Sequence, residues 1–153
     1  MIDFKEAYAQ AFAVAEKSND PHTKVGAALI CKPSVTPSGH EFPPPRIIGC
    51  NEIKGDDPAS FERPLKYDRV IHAEVAVITG AAAHGISTFQ ATLVITHPPC
   101  LECAKVICAA GISELHVGPC TYTSRTPEAD VAAEYLLRRY GVTLTHWAGV
   151  RSH

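Results

Sequence analysis

Two short segments, His72-Ala73-Glu74 and Pro99-Cys100-Leu101-Glu102-Cys103, constrain this chain more than any other part of it. Thiolate and imidazole bind zinc readily, and a zinc that performs chemistry keeps three protein ligands and a fourth position for water. His72, Cys100 and Cys103 supply that count. Glu74 stands two residues past the histidine, close enough to carry protons to and from such a water. A fold that uses both segments must bring distant stretches of chain to one point. Each segment opens a predicted helix, over residues 72–84 and 100–110, with one strand, 91–96, between them. Helices that follow neighbouring strands can aim their N-termini at a common spot. Residues i and i+3 share a helix face, so both thiols can reach one ion. The helix dipole favours thiolate there.

The remaining pattern agrees with an α/β layered domain. Phe4, Tyr8, Phe12 and Ala15 form the apolar stripe of a predicted helix over 4–17, stopped by Ser18-Asn19-Asp20-Pro21. Strands are predicted at 25–31 and 46–51, paired as a hairpin around a Pro-, Ser- and Gly-rich loop. Residues 52–69 read as an uncommonly long polar connection, of the kind that often carries function. A strand at 114–118, a helix at 127–140 and a last strand at 142–147 complete the order. Val131, Tyr135 and Leu136 mark the expected apolar face of that helix. The result is one mixed sheet with helices on both faces.

At 153 residues, 46% apolar and 20% charged, the chain is expected to form one domain spanning 1–153. No run approaches the 18 or more apolar residues of a membrane span, and the N-terminus lacks an export pattern. A cytoplasmic protein without a membrane partner is expected. Four cysteines outside the C-x-x-C then read as reduced thiols. With 14 Lys plus Arg against 16 Asp plus Glu, the balance argues against nucleic-acid binding.

The His-x-Glu and Pro-Cys-x-x-Cys pair is the signature of zinc deaminases. The chain resembles the cytidine and deoxycytidylate deaminase superfamily, and most of all its deoxycytidylate (dCMP) branch. Further likeness lies in Asp20-Pro21-His22-Thr23-Lys24-Val25-Gly26-Ala27, in Arg63-Pro64-Leu65-Lys66-Tyr67 and in Ala109-Ala110-Gly111-Ile112. The resemblance implies a three-layer α/β/α sandwich around a five-stranded mixed sheet, one zinc per subunit and a homo-oligomer. It implies hydrolytic deamination of a cytosine nucleotide, dCMP and water giving dUMP and ammonia. His72, Cys100 and Cys103 are then the ligands and Glu74 the catalytic proton carrier. Asn51 and the backbone at Ala73 are expected to contact substrate. Tyr122 is a candidate to stack on the base, and Lys24, Lys66, Arg69 and Arg125 are candidates to meet a phosphate.

One departure bears on substrate and regulation. Gly49-Cys50-Asn51-Glu52 stands where the dCMP branch has Gly-Tyr-Asn-Gly. It argues against nucleotide-triphosphate regulation, and Glu52 is expected to repel a nearby phosphate. A deaminase of another nucleoside, base or aminated heterocycle is the alternative, followed by a tRNA adenosine deaminase. A non-catalytic zinc module would need a closed site, with His97 as its candidate fourth ligand.

Overall fold

The computed structural model describes residues 1–147; residues 148–153 of the expected domain lie outside the described residues. Helix α1 (Phe4–Ala15) starts where the Asp3 carboxylate accepts the Glu6 N–H at 3.1 Å. Strand β1 (Gly26–Ile30) follows, then a small ribbon of β2 (Ser34–Val35) and β3 (Glu41–Phe42), then β4 (Arg46–Cys50). The expected hairpin is present, with β1 and β4 antiparallel and the ribbon filling the loop between them.

The 52–69 stretch is not the open connection expected. It holds β5 (Glu52–Ile53), a 3₁₀ turn (Pro58–Phe61) and α2 (Leu65–Arg69), and β6 (Val70–Ile71) follows and pairs with β5. Two-residue strands and a five-residue helix are too short to leave a period in sequence.

From there α3 (Ala73–Ala83), β7 (Thr92–Ile95), α4 (Leu101–Ala109), β8 (Glu114–Val117), α5 (Pro127–Arg139) and β9 (Thr143–His146) alternate. The main sheet has the order β4-β1-β7-β8-β9, antiparallel across β4, β1 and β7 and parallel across β7, β8 and β9. This is the predicted mixed five-stranded sheet.

Alternation along the strands sorts the layers. Ala27, Leu29, Leu93, Ile95 and Leu115 face α3, α4 and α5, and Ala28, Ile30 and Val94 face α1. Gly26 marks how closely α1 lies on the sheet, because a Cβ there would meet the Ala11 carbonyl oxygen at 1.8 Å. The buried stripe of α5 differs in part from the one expected, since of the three residues named only Leu136 packs against the core. Ala133 and Leu137 pack into the core, whereas Val131 and Tyr135 are 66% and 69% exposed. Both pairs have i, i+4 spacing, and only packing on the sheet selects between them.

Candidate active site

The site forms at the carboxyl end of β7, where open α/β sheets place their ligands. His72 is the N-cap residue of α3 and Cys100 the N-cap residue of α4. The Cys100 Sγ accepts the Cys103 N–H at 3.4 Å, which seats both sulfurs on the first turn. The His72 Nδ1 lies 3.2 Å from the Cys103 Sγ and 3.6 Å from the Cys100 Sγ. All three ligand atoms fall within 4.8 Å of one another. Arg125 holds the approach to α4, donating to the Pro98 and Pro99 carbonyls at 2.7 and 3.1 Å and pairing with Asp130 at 3.1 Å.

Electrostatics within the cluster favour a cation. A hydrogen bond from the Cys103 thiol and another from His72 pull the Cys100 thiol well below the usual thiol range against its burial. The Cys103 thiol is pushed up through the same shared proton. The bond to Cys100 raises His72. Burial raises Glu74, which is 2% exposed and hydrogen-bonds with Cys103. No Lys or Arg among the described residues pairs with that carboxylate. Two sulfurs, one imidazole nitrogen and a buried carboxylate without a cationic side chain match the donor preference of zinc. Metal binding would release the thiol protons.

His97 is not a fourth member of the cluster. It is buried rather than at a solvent-exposed strand end: the Thr96 hydroxyl, which accepts the Gly26 N–H, lies 2.8 Å from its Nδ1. Burial and the nearby Arg125 charge push the ring down to about 4, so it is neutral at ordinary pH. Three ligands with no fourth protein donor among the described residues match the arrangement of catalytic rather than structural zinc.

A cavity of about 370 Å³ lies beside the cluster; His72 is the ligand that lines it, together with Ala73, Glu74, Asn51 and Tyr122. The His72 side chain does not cap α3, so the N–H groups of its first turn have no cap acceptor. Tyr122 is half-buried, with the Arg125 guanidinium 4.1 Å above its ring and His97 at 4.9 Å. Asn51 is already engaged: its Oδ1 accepts the Val25 N–H at 2.9 Å, and its Nδ2 donates to the Thr23 carbonyl at 2.8 Å. It therefore braces the wall as well as lining it.

Lys24 does not reach the cavity. Its ammonium donates to the Glu16 carbonyl at 3.2 Å, and its side chain lies on the exposed surface. Glu52 is likewise outside, paired with Lys54 at 2.9 Å, so the expected repulsion of a phosphate does not arise. The lining also holds Lys66, a phosphate candidate from the sequence, and Arg63, which was not one. Lys66 is buried, with its Nζ 2.9 Å from each oxygen of Asp20, and Arg63 stands beside it on the rim.

This donor set on an α/β/α layer defines the class: a zinc-dependent hydrolase. Residues 1–119 match the family profile described as the cytidine and deoxycytidylate deaminase zinc-binding region. The chain is 32% identical over 141 residues to the deoxycytidylate deaminase of Mus musculus, covering 88% of this chain and 74% of that protein. It is 28% identical over 140 residues to ComE operon protein 2 of Bacillus subtilis (strain 168), covering 89% of this chain and 66% of that protein. The dCMP deaminase of cyanophage S-TIM5, solved in complex with dCMP and dUMP, has a similar fold. Its TM-score is 0.66 at 22% identity, over 96% of this chain and 98% of that one. The chain belongs to the cytidine and deoxycytidylate deaminase family, and its reaction class is hydrolytic deamination.

Proposed function

We propose that this protein deaminates dCMP to dUMP and ammonia, with zinc held by His72, Cys100 and Cys103. The observation that carries the reading is the three-ligand cluster next to the buried Glu74, with His72 and Glu74 lining a cavity large enough for a small ligand. The likeness to deoxycytidylate deaminases over most of the chain supports the substrate.

Bound zinc supplies Lewis acidity, which makes water a competent nucleophile near neutral pH. Glu74 then manages the protons. Its carboxylate takes one from the attacking water and delivers it to the ring nitrogen next to the carbon under attack. It next moves a proton from the new hydroxyl to the amine, which leaves as ammonia as the C–N bond breaks and the carbonyl forms. Burial suits this work, because a carboxyl raised toward neutrality can both accept and return a proton. The uncapped N–H of Ala73 serves as a donor to the base, Tyr122 packs against its face and Asn51 keeps the wall in place.

The protein is further read as a cytoplasmic homo-oligomer. No helix among the described residues is long and apolar enough to cross a membrane. The exposed Val131, Tyr135 and Tyr140 on and just after α5 support self-association, which sedimentation checks. An ammonia-release screen of the zinc-loaded protein on dCMP, CMP, deoxycytidine, cytidine, cytosine and guanine tests the substrate. Turnover of dCMP above the others is expected; turnover of bases or nucleosides with dCMP inert overturns it.

A further inference from the structure

Three cationic side chains border the cavity, and two of them are paired with a carboxylate of the protein. Lys66 has three ammonium donors. Two meet the Asp20 oxygens at 2.9 Å and the third faces His22 Nδ1 at 3.3 Å. Arg125 donates to two carbonyls, pairs with Asp130 and stacks on Tyr122. Arg63 differs. Among the described residues it has no hydrogen bond and no carboxylate partner, and the contact it makes is with the Tyr67 ring, 5.9 Å from its guanidinium carbon. The other cations considered from sequence fall away. Lys24 is outside, and Arg69 bonds to Asp57 and Ser60 without lining the cavity.

Charge then balances in pairs, Asp20 with Lys66 and Asp130 with Arg125, and leaves one positive charge on the rim unbalanced. An exposed arginine is ordinary in itself. This one shares a cavity with His72 and Glu74, and the segment that carries it is anchored three residues later by the buried Lys66–Asp20 pair. An unpaired guanidinium on the lining of the cavity that His72 and Glu74 share is suited to an anion with two or more acceptor oxygens.

We propose that Arg63 determines specificity for the anionic end of the substrate, taking the 5′-phosphate of a nucleoside monophosphate while the base reaches Glu74. The inference rests on the reading of the substrate as a pyrimidine nucleotide. The test compares kcat/KM for dCMP and deoxycytidine in the zinc-loaded wild type, Arg63→Gln and Arg63→Lys, with inorganic phosphate as a competitor. Wild type prefers dCMP, and Arg63→Gln lowers that preference by roughly ten- to a hundredfold, mainly through KM. Arg63→Lys keeps the charge but loses the fork, so its preference falls in between. Phosphate inhibits wild type more strongly than Arg63→Gln.

A preference unchanged within about twofold in Arg63→Gln, with phosphate inhibition intact, overturns the role of Arg63 and leaves the substrate reading standing. So does an equal loss on both substrates at normal zinc content. A wild type that does not prefer dCMP overturns the substrate reading and the inference with it. If Arg63→Gln does not fold, Arg63→Lys decides: a ratio equal to wild type counts against the bidentate contact.

Discussion

The two sides of the cavity are built by different means. On the reaction side the ligands sit on the N-caps and first turns of two helices, so the backbone of α3 and α4 sets their positions. Elsewhere on the lining, Asp20, Lys66 and Arg63 belong to loops and a short helix joined by side-chain contacts, with Asp20 and Lys66 46 residues apart in sequence. Backbone placement tolerates little change, because moving one ligand moves a helix. Side-chain placement can be retuned by single substitutions. The chemistry is therefore rooted in the layers of the fold, and selectivity in a wall that sequence change can reach.

That contrast can be broken by substitution on either side. Glu74→Gln should keep zinc, since the carboxylate is not one of the three ligands, and reduce kcat by roughly 10²–10⁴-fold. Ammonia release with metal analysis on the same sample checks it. Lys66→Met should leave the zinc cluster intact but destabilise the fold by about 3–5 kcal/mol, because it strands the buried Asp20 carboxylate. Denaturant unfolding measures this.

Acid behaviour sharpens the same point. Burial alone would raise Asp20, but hydrogen bonds from the His22 N–H, the Lys66 ammonium and the Thr23 N–H hold it below the usual carboxylate range. The stability it supplies is fully present above the unfolded value of about 4 and is lost as pH falls through the lower folded value. In Lys66→Met the balance shifts toward burial, so the depression of Asp20 shrinks or reverses and its share of the acid loss goes with it. Unfolding midpoints from pH 3 to pH 7 would show the difference. The smallest effect belongs to Glu52→Gln. Its partner Lys54 lies outside the cavity with it, and KM for dCMP should change by less than about twofold.

The metal cluster was legible in sequence because its residues fall in two motifs that are each compact along the chain, though the motifs lie 28 residues apart. Two helix starts with a proline and an i, i+3 cysteine pair carry the geometry in their spacing. The order of strands and helices, and so the mixed sheet, followed from periodicity. What escaped depended on contacts between remote segments. The burial of His97 comes from Thr96, Tyr122 and Arg125 packing around it, and a strand-end histidine gives no sign of that. Lys66 reads as a surface cation until Asp20 is placed against it. The α5 face was misread because Val131/Tyr135 and Ala133/Leu137 share one period, and the sheet chose the smaller residues.

In the proposed reaction one zinc, held by His72, Cys100 and Cys103, supports deamination. Zinc titrated into metal-stripped protein, with ammonia release from dCMP followed at each addition, tests it most directly. Activity should rise in proportion to bound zinc and saturate at one ion per chain, and Cys103→Ser should show neither the tight binding nor the turnover. Full activity in the stripped protein, or saturated zinc with no ammonia from dCMP or any related aminated pyrimidine, would contradict it.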